Sequence, residues 1–441
     1  MASAYSDASG RRRREGHQTS EKCHRQRQHP HSPGGVSGSQ TSFDIRRCPL
    51  FAAELILIVN EVDAAPEADD QDRRHNMRCS SMQQLVAISA FVLTAAAAGP
   101  AAALPLTTES QLEDSSIAAE IETFWSQRVV VETFTGARGL TLRYARALQP
   151  DRALEKGALV IVSGRTESML KYKELVRDLW ADGWSVYVHD HRGQGLSDRE
   201  PEVKDSPQKG HVNEFQDYVA DLRSFVASQV LPDGHSRHVL LAHSMGGAIA
   251  ALFLEQGSVE ARRFDAAALS SPMLKIKGIA GAPADLVSCR VAKFLAKREP
   301  TEYVKTGTAY VPKPYEKNEY TQSPARYSRL ISQYASEPHI QLGSPTHRWF
   351  DQACEAAFRA RRTAGEVRTP IRIVVAGEDS IVHNTGAAEF CRRLPAQLGG
   401  CGGPSGGPIV VPGARHELLI ERDDLRQQAL MPILQFFSPH N

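Results

Sequence analysis

The chain has 441 residues, 41% hydrophobic and 23% charged, with 52 Lys+Arg against 51 Asp+Glu for a net charge of +1. That length predicts one large domain with additions, or two domains. The balanced charge argues against a dedicated nucleic-acid binder, and the lack of an apolar run of roughly 18 residues excludes a polytopic membrane protein. Seven cysteines without a C-x-x-C pair make a zinc ribbon or thioredoxin-like site a poor fit.

Residues 1–47 carry Arg11–Arg14, many polar residues and Pro33-Gly34-Gly35. Such a stretch buries too little apolar surface to offset its ordering entropy and is expected to be disordered. A nucleic-acid arm is one reading of the arginines, a solvated tail the plainer one. Farther on, Met77-Arg78-Cys79-Ser80-Ser81-Met82 precedes the apolar run Leu85–Ala98 and Ala101-Ala102-Ala103. A short basic region, an apolar stretch and an A-x-A site are the parts of a secretory signal peptide. A signal peptide begins a chain, so translation is expected to start at Met77 or Met82, leaving residues 1–76 as an upstream extension. The competing reading is an Ala-rich internal helix. Cleavage after Ala103 would leave Cys289, Cys354, Cys391 and Cys401, which allow three pairings or four free thiols; spacing does not choose.

From about residue 127, strands and helices alternate. Val129–Phe134 and Leu140–Ala147 read as a hairpin, and Ala158–Val162 is a continuous apolar run suited to a buried parallel strand. A helix around Leu170–Ala181, the strand Trp184–Val188 and a helix over Phe215–Val230 come next. His238–Leu241 is a strand, Ala248–Leu254 a helix and Ala266–Leu269 a strand. Ile371–Val375 and Ile409–Val411 are the last strands, with helices at Gly386–Arg393 and Asp424–Phe437. This order predicts an α/β fold over residues 120–441, a mostly parallel doubly wound sheet with its site at the carboxyl ends of the strands. Between Ser271 and Thr369 the alternation breaks, and a helical cap over the strand ends is expected at about 272–369.

Chemistry concentrates in three places. In Leu240-Leu241-Ala242-His243-Ser244-Met245-Gly246-Gly247 an apolar strand runs into a small–x–Ser–x–Gly turn and a helix, the setting of a nucleophile elbow. Serine needs a base held by a third group, in the chain order serine, acid, histidine. Of the downstream histidines, His339 and His347 fall in the cap, His383 lies four residues from the candidate acid Asp379, and His440 is in the tail. His416 comes just after the last strand and is the expected base. Glu378 and Asp379 both come after Ile371–Val375, and Asp379, just ahead of Ile381-Val382, is the preferred acid. Oxyanion donors are expected from the backbone N–H groups of Met245 and of Arg165, in the loop Ser163-Gly164-Arg165-Thr166-Glu167. The Arg165 side chain could instead lie on the surface or meet an anionic substrate.

These blocks, with Asp190–Ser197, Gly210–Leu222 and Gly413-Ala414-Arg415-His416-Glu417-Leu418-Leu419, resemble the alpha/beta hydrolases of the monoacylglycerol lipase group. Within it they are most similar to the bacterial inner-membrane lysophospholipases, which share the alanine before the nucleophilic turn. The resemblance spans about residues 120–440; most of the group open the oxyanion loop with His-Gly, where Ser163-Gly164 stands here. It implies an alpha/beta-hydrolase fold with a cap, a triad of Ser244, Asp379 and His416, no metal or cofactor, and a structural role for the Asp190 and Gly210 blocks. The implied reaction is hydrolysis of the acyl ester of a lysophospholipid, with monoacylglycerol or a general carboxylic ester as the alternative. A proline-iminopeptidase-like amidase lacks a marked amine-binding acid here, and a non-catalytic binding module would have a broken triad. The implied setting is the cell envelope, periplasm or inner membrane, with peripheral membrane contact and no nucleic acid; an unused signal segment would leave the protein cytoplasmic.

Overall fold

The chain is described by a computed structural model over residues 106–277 and 286–438. The expected tail, the signal-like segment with its start sites, and His440 lie outside the described residues. The chain enters through α1 (Glu109–Glu113), capped by Thr108, and α2 (Ser115–Arg128), capped by Asp114. Neither was expected, because α2 buries only Ile121 and Trp125 and so shows no apolar stripe. They belong to the fold all the same. Buried Thr107 donates to Asp178, and its carbonyl accepts from Arg326 and Arg426. The packed chain thus starts before the expected residue 120.

β1 (Val130–Thr135) and β2 (Thr141–Ala147) form the expected antiparallel hairpin. Next come β3 (Gly157–Val162), α3 (Lys173–Ala181), β4 (Trp184–His189), α4 (Phe215–Phe225), β5 (His238–His243), α5 (Met245–Glu255) and β6 (Ala266–Ser270). β3 to β6 are buried at every position, as strands covered on both faces must be. Two helices expected as single elements change pitch. A 3₁₀ turn at Met169–Tyr172 precedes α3, and α4 runs on as a wider turn over Val226–Val230. The insertion holds α6 (Leu286–Arg298), α7 (Pro324–Ser336) and α8 (His347–Thr363). β7 (Ile371–Ala376), α9 (Asn384–Arg393), β8 (Ile409–Val411) and α10 (Asp423–Phe437) complete the chain. No helix among the described residues is long and apolar enough to cross a membrane.

The sheet order is β1-β2-β4-β3-β5-β6-β7-β8, parallel from β4 onward. Successive strands leave β3 on opposite sides, β4 to one and β5 to the other. The carboxyl ends of β3 and β5 therefore flank the switch point, where an open α/β sheet leaves a crevice. One face packs under α4, α5, α8 and α9, the other under α2, α3 and α10. α8 falls within the span expected for the cap, yet Ala353, Ala356 and Ala360 pack into the core with α5. Its small residues let it lie close against the sheet-covering layer, and the Cys289–Cys354 disulfide ties α6 to it. A second disulfide joins Cys391 to Cys401.

The motif after β4 interlocks with the one that runs into α4. Arg192 donates Nε and Nη2 to Asp221 at 2.6 and 2.7 Å, and Asp221 also accepts from Ala137 N–H. Asp190 accepts from the backbone N–H groups of Met169 and Leu196 and from Ser168. Gly195, at φ +56°, lies so close that a Cβ there would sit 2.2 Å from Asp190 Oδ2.

Candidate active site

β5 delivers Ser244 to the crevice by a sharp turn. Its backbone stands at φ 51°, ψ −116°, a conformation that costs a non-glycine residue on the order of 1–3 kcal/mol and is held by its surroundings. Ser244 N–H donates to Ser270 O, and Ser244 O accepts from Gly247 and Met273. The turn is hemmed in. A Cβ on Gly246 would lie 2.2 Å from Val162 O, and Ala242 is fully buried against the neighbouring strands.

The structure brings Ser244, His416 and Asp379 into one hydrogen-bonded chain. His416 Nε2 lies 2.8 Å from Ser244 Oγ, and His416 Nδ1 lies 2.7 Å from Asp379 Oδ2. The other carboxylate oxygen of Asp379 accepts from the N–H groups of Ile381 and Val382 at 2.8 and 2.9 Å. Burial works to raise the pKa of Asp379, but His416 and the two backbone donors outweigh it and hold the carboxyl below its usual range. Glu378, the other candidate acid, is exposed. His347 Nδ1 donates to Glu299 O, and His383 sits at the N-terminal boundary of α9 without a side-chain hydrogen bond to it; neither joins the Ser244–Asp379 chain.

The loop after β3 is fixed from several sides. Glu167 accepts from Gly164 N–H at 2.5 Å, and Gln194 donates to the carbonyls of Gly164 and Glu167. Arg165 N–H has no acceptor among the described residues. Met245 opens α5, where first-turn N–H groups have no intrahelical partner. Ser163, standing where histidine is usual, is buried with its hydroxyl unpaired.

Beneath the Ser244–His416 pair lies a charged cluster for which no role was expected. Lys171 Nζ lies 2.7 Å from Glu167 Oε1 and also touches Glu417 Oε2. His243 Nε2 lies 3.1 Å from Glu417 Oε2, and its ring centroid is 5.0 Å from that of His416. Tyr172 donates to Glu167 at 2.5 Å. Burial would lower the His243 pKa, but Glu417 and Glu167 outweigh it and raise it; burial would raise that of Glu417, but Lys171 and His243 hold it well below its usual value. Glu167, His243 and Glu417 have the donor set of a small cation site, their ligand atoms all within 4.8 Å of one another. Lys171 already places an ammonium against both carboxylates, so the cluster carries its own cation. The one sequence sign was the spacing of Glu167 and Lys171, which lets them meet across one turn.

A cavity of about 550 Å³ opens over the site. Ser244, His416 and Arg165 line it on the sheet side, and Val311, Leu330 and Ile331 on the side of the insertion.

A family model described as serine aminopeptidase, S33 matches residues 154–423. The chain belongs to this family of alpha/beta hydrolases. The hydrolase is 37% identical over 332 residues to lysophospholipase L2 of Escherichia coli K12, covering 72% of this chain and 90% of that one. It is 32% identical to a probable lysophospholipase L2 of Haemophilus influenzae, over 73% of this chain and 95% of the relative. Among solved structures it resembles a soluble variant of the monoglyceride lipase of Saccharomyces cerevisiae in fold, with a TM-score of 0.54 at 20% identity, covering 70% and 94% of the two chains. The hydrolase is a carboxylic ester hydrolase, with the expected mostly parallel sheet.

Proposed function

We propose that the hydrolase cleaves the acyl ester of lysophospholipids, releasing a fatty acid through an acyl-enzyme on Ser244. The observation that carries the reading is the Ser244–His416–Asp379 chain opening into a cavity with apolar walls large enough for an acyl chain. The names of the two lysophospholipase relatives support the head group. His416 Nε2 takes the Ser244 proton as Oγ attacks the acyl carbon, and Asp379 stabilises the imidazolium and fixes its tautomer. The Met245 and Arg165 N–H groups stabilise the oxyanion. The imidazolium then protonates the leaving glycerol oxygen. Water, deprotonated by His416, attacks the acyl-enzyme, and collapse of that intermediate frees the fatty acid and returns the proton to Ser244. The two disulfides support a working place in an oxidising compartment, as the signal-like segment suggests.

The test is fatty-acid release by protein starting near Leu104 from lysophosphatidylcholine, lysophosphatidylethanolamine and monoacylglycerol of equal chain length. Preference for the phospholipids, with kcat lowered by about 10⁴-fold or more in Ser244→Ala, is expected. Turnover of monoacylglycerol alone would keep the mechanism and replace the substrate. Full activity in Ser244→Ala would overturn both.

A further inference from the structure

The three fully buried arginines among the described residues of the hydrolase answer to carboxylates. Arg192 meets Asp221 and Glu200, Arg326 meets Glu174 and Asp423, and Arg426 meets Asp178 and Glu174. Arg165 does not. Its Nη2 donates to Gly343 O at 2.6 Å and its guanidinium stacks over the Trp349 ring at 5.0 Å. Its Nε is buried without an acceptor, and it has no ion pair among the described residues. Burial lowers its pKa to about 10, so it remains a cation at neutral pH.

The place for this cation is built. A Cβ on Gly210 would sit 2.3 Å from Arg165 Nη2, so any other residue there would displace the guanidinium from this position. Trp349 and the Gly343 carbonyl set its plane. The cavity is lined by three long basic side chains among the described residues; Lys171 is buried between Glu167 and Glu417, Lys313 makes only an exposed 3.4 Å pair with Glu319, and Arg165 faces no carboxylate. The hydroxyl of Tyr310, on the same cavity wall, is also buried without a partner. The Arg165 side chain is partly buried with its Nε desolvated and unpaired, and an anionic ligand in the cavity would supply the missing counter-charge. In the proposed substrate the phosphodiester lies one glycerol backbone from the ester carbon that Ser244 attacks.

We propose that the Arg165 side chain is the phosphate receptor of the site, separating lysophospholipids from neutral monoacylglycerols. The inference rests on the reading of Ser244 as the nucleophile and deepens its substrate class. The Arg165 backbone N–H survives any side-chain substitution, so the two roles separate experimentally. In Arg165→Met, kcat/KM for lysophosphatidylcholine falls about 10- to 100-fold more than for monoacylglycerol of the same chain, mainly through KM. Arg165→Lys, which keeps the charge but not the fork, recovers part of that ratio. Equal losses on both substrates, at unchanged melting temperature, would overturn the proposal, since the side chain would then serve only to hold its loop. A wild type that hydrolyses monoacylglycerol alone would defeat the lysophospholipid reading by itself. Arg165 would then be judged by glycerol 3-phosphate as inhibitor, expected to act more weakly on Arg165→Met and, if it acts equally on both, refuting the receptor.

Discussion

Replacing Lys171 by Met removes the ammonium from between two buried carboxylates. The ligand atoms of Glu167 and Glu417 lie within 4.8 Å of each other. At an effective dielectric of about 20, two unit charges at that distance repel by about 3.5 kcal/mol. Breaking a buried pair by removing one partner costs on the same scale, about 3–5 kcal/mol. The variant should lose that much in urea unfolding and melt on the order of 5–10 °C lower. The loss should also depend on pH, because His243 becomes the remaining counter-charge. Its folded pKa is raised, so its contribution is fully present below about pH 6.5 and is lost as pH rises through the folded value. Lys171→Met should therefore be destabilised more at about pH 8 than at about pH 6. Adding Glu417→Gln removes one of the two facing charges and should restore most of the loss, a coupling read from the double-mutant cycle. A Lys171→Met cost below about 1 kcal/mol at both pH values, or a double variant as unstable as the sum of the singles, would refute a desolvated ionic cluster.

The disulfides close loops of 65 and 10 residues, which the chain-entropy account values at about 4 and about 3 kcal/mol. Paired Cys→Ser variants compared in urea should show the larger loss for Cys289–Cys354; the reverse order would mean that native-state packing, not loop closure, sets the cost. Asp379 should leave its mark in acid. Its folded pKa is depressed, so its stabilisation is present above its unfolded value near pH 4 and lost as pH falls through the folded one. Asp379→Asn should accordingly flatten the acid limb of the stability curve, and an unchanged limb would contradict the role given to the His416 bond.

Much of the site was legible because its parts are local. Ala242–Gly247 encodes a strand, a tight turn and a helix within a few residues, and His416 stands directly after a short apolar strand. The choice of Asp379 over Glu378 rested in the sequence only on the nearby Ile381-Val382 pair; burial and the N–H groups of Ile381 and Val382 give it a physical ground. The cysteine pairing was not readable, since Cys289 and Cys354 meet only when α6 crosses α8. The cluster under His416 was hidden for the same reason, its members arriving from the loop after β3, the end of β5 and the loop after β8. α8 was assigned to the cap on sequence position alone, where its alanine face belongs to the core.

The junction at Thr107 bears on how the chain is made. Its carbonyl is held by Arg326 from α7 and by Arg426 from α10, the latter 319 residues away along the chain. A polypeptide synthesised from its amino end cannot close this junction until its last helix is complete, and closing a loop of that length is slow and entropically costly. Arg326 and Arg426 also share Glu174, so α7 and α10 lock to the body through the same charges. The first of the described segments to be made is therefore among the last to be secured, and one of the helices that holds it, α7, stands beside the cavity that Ser244 serves.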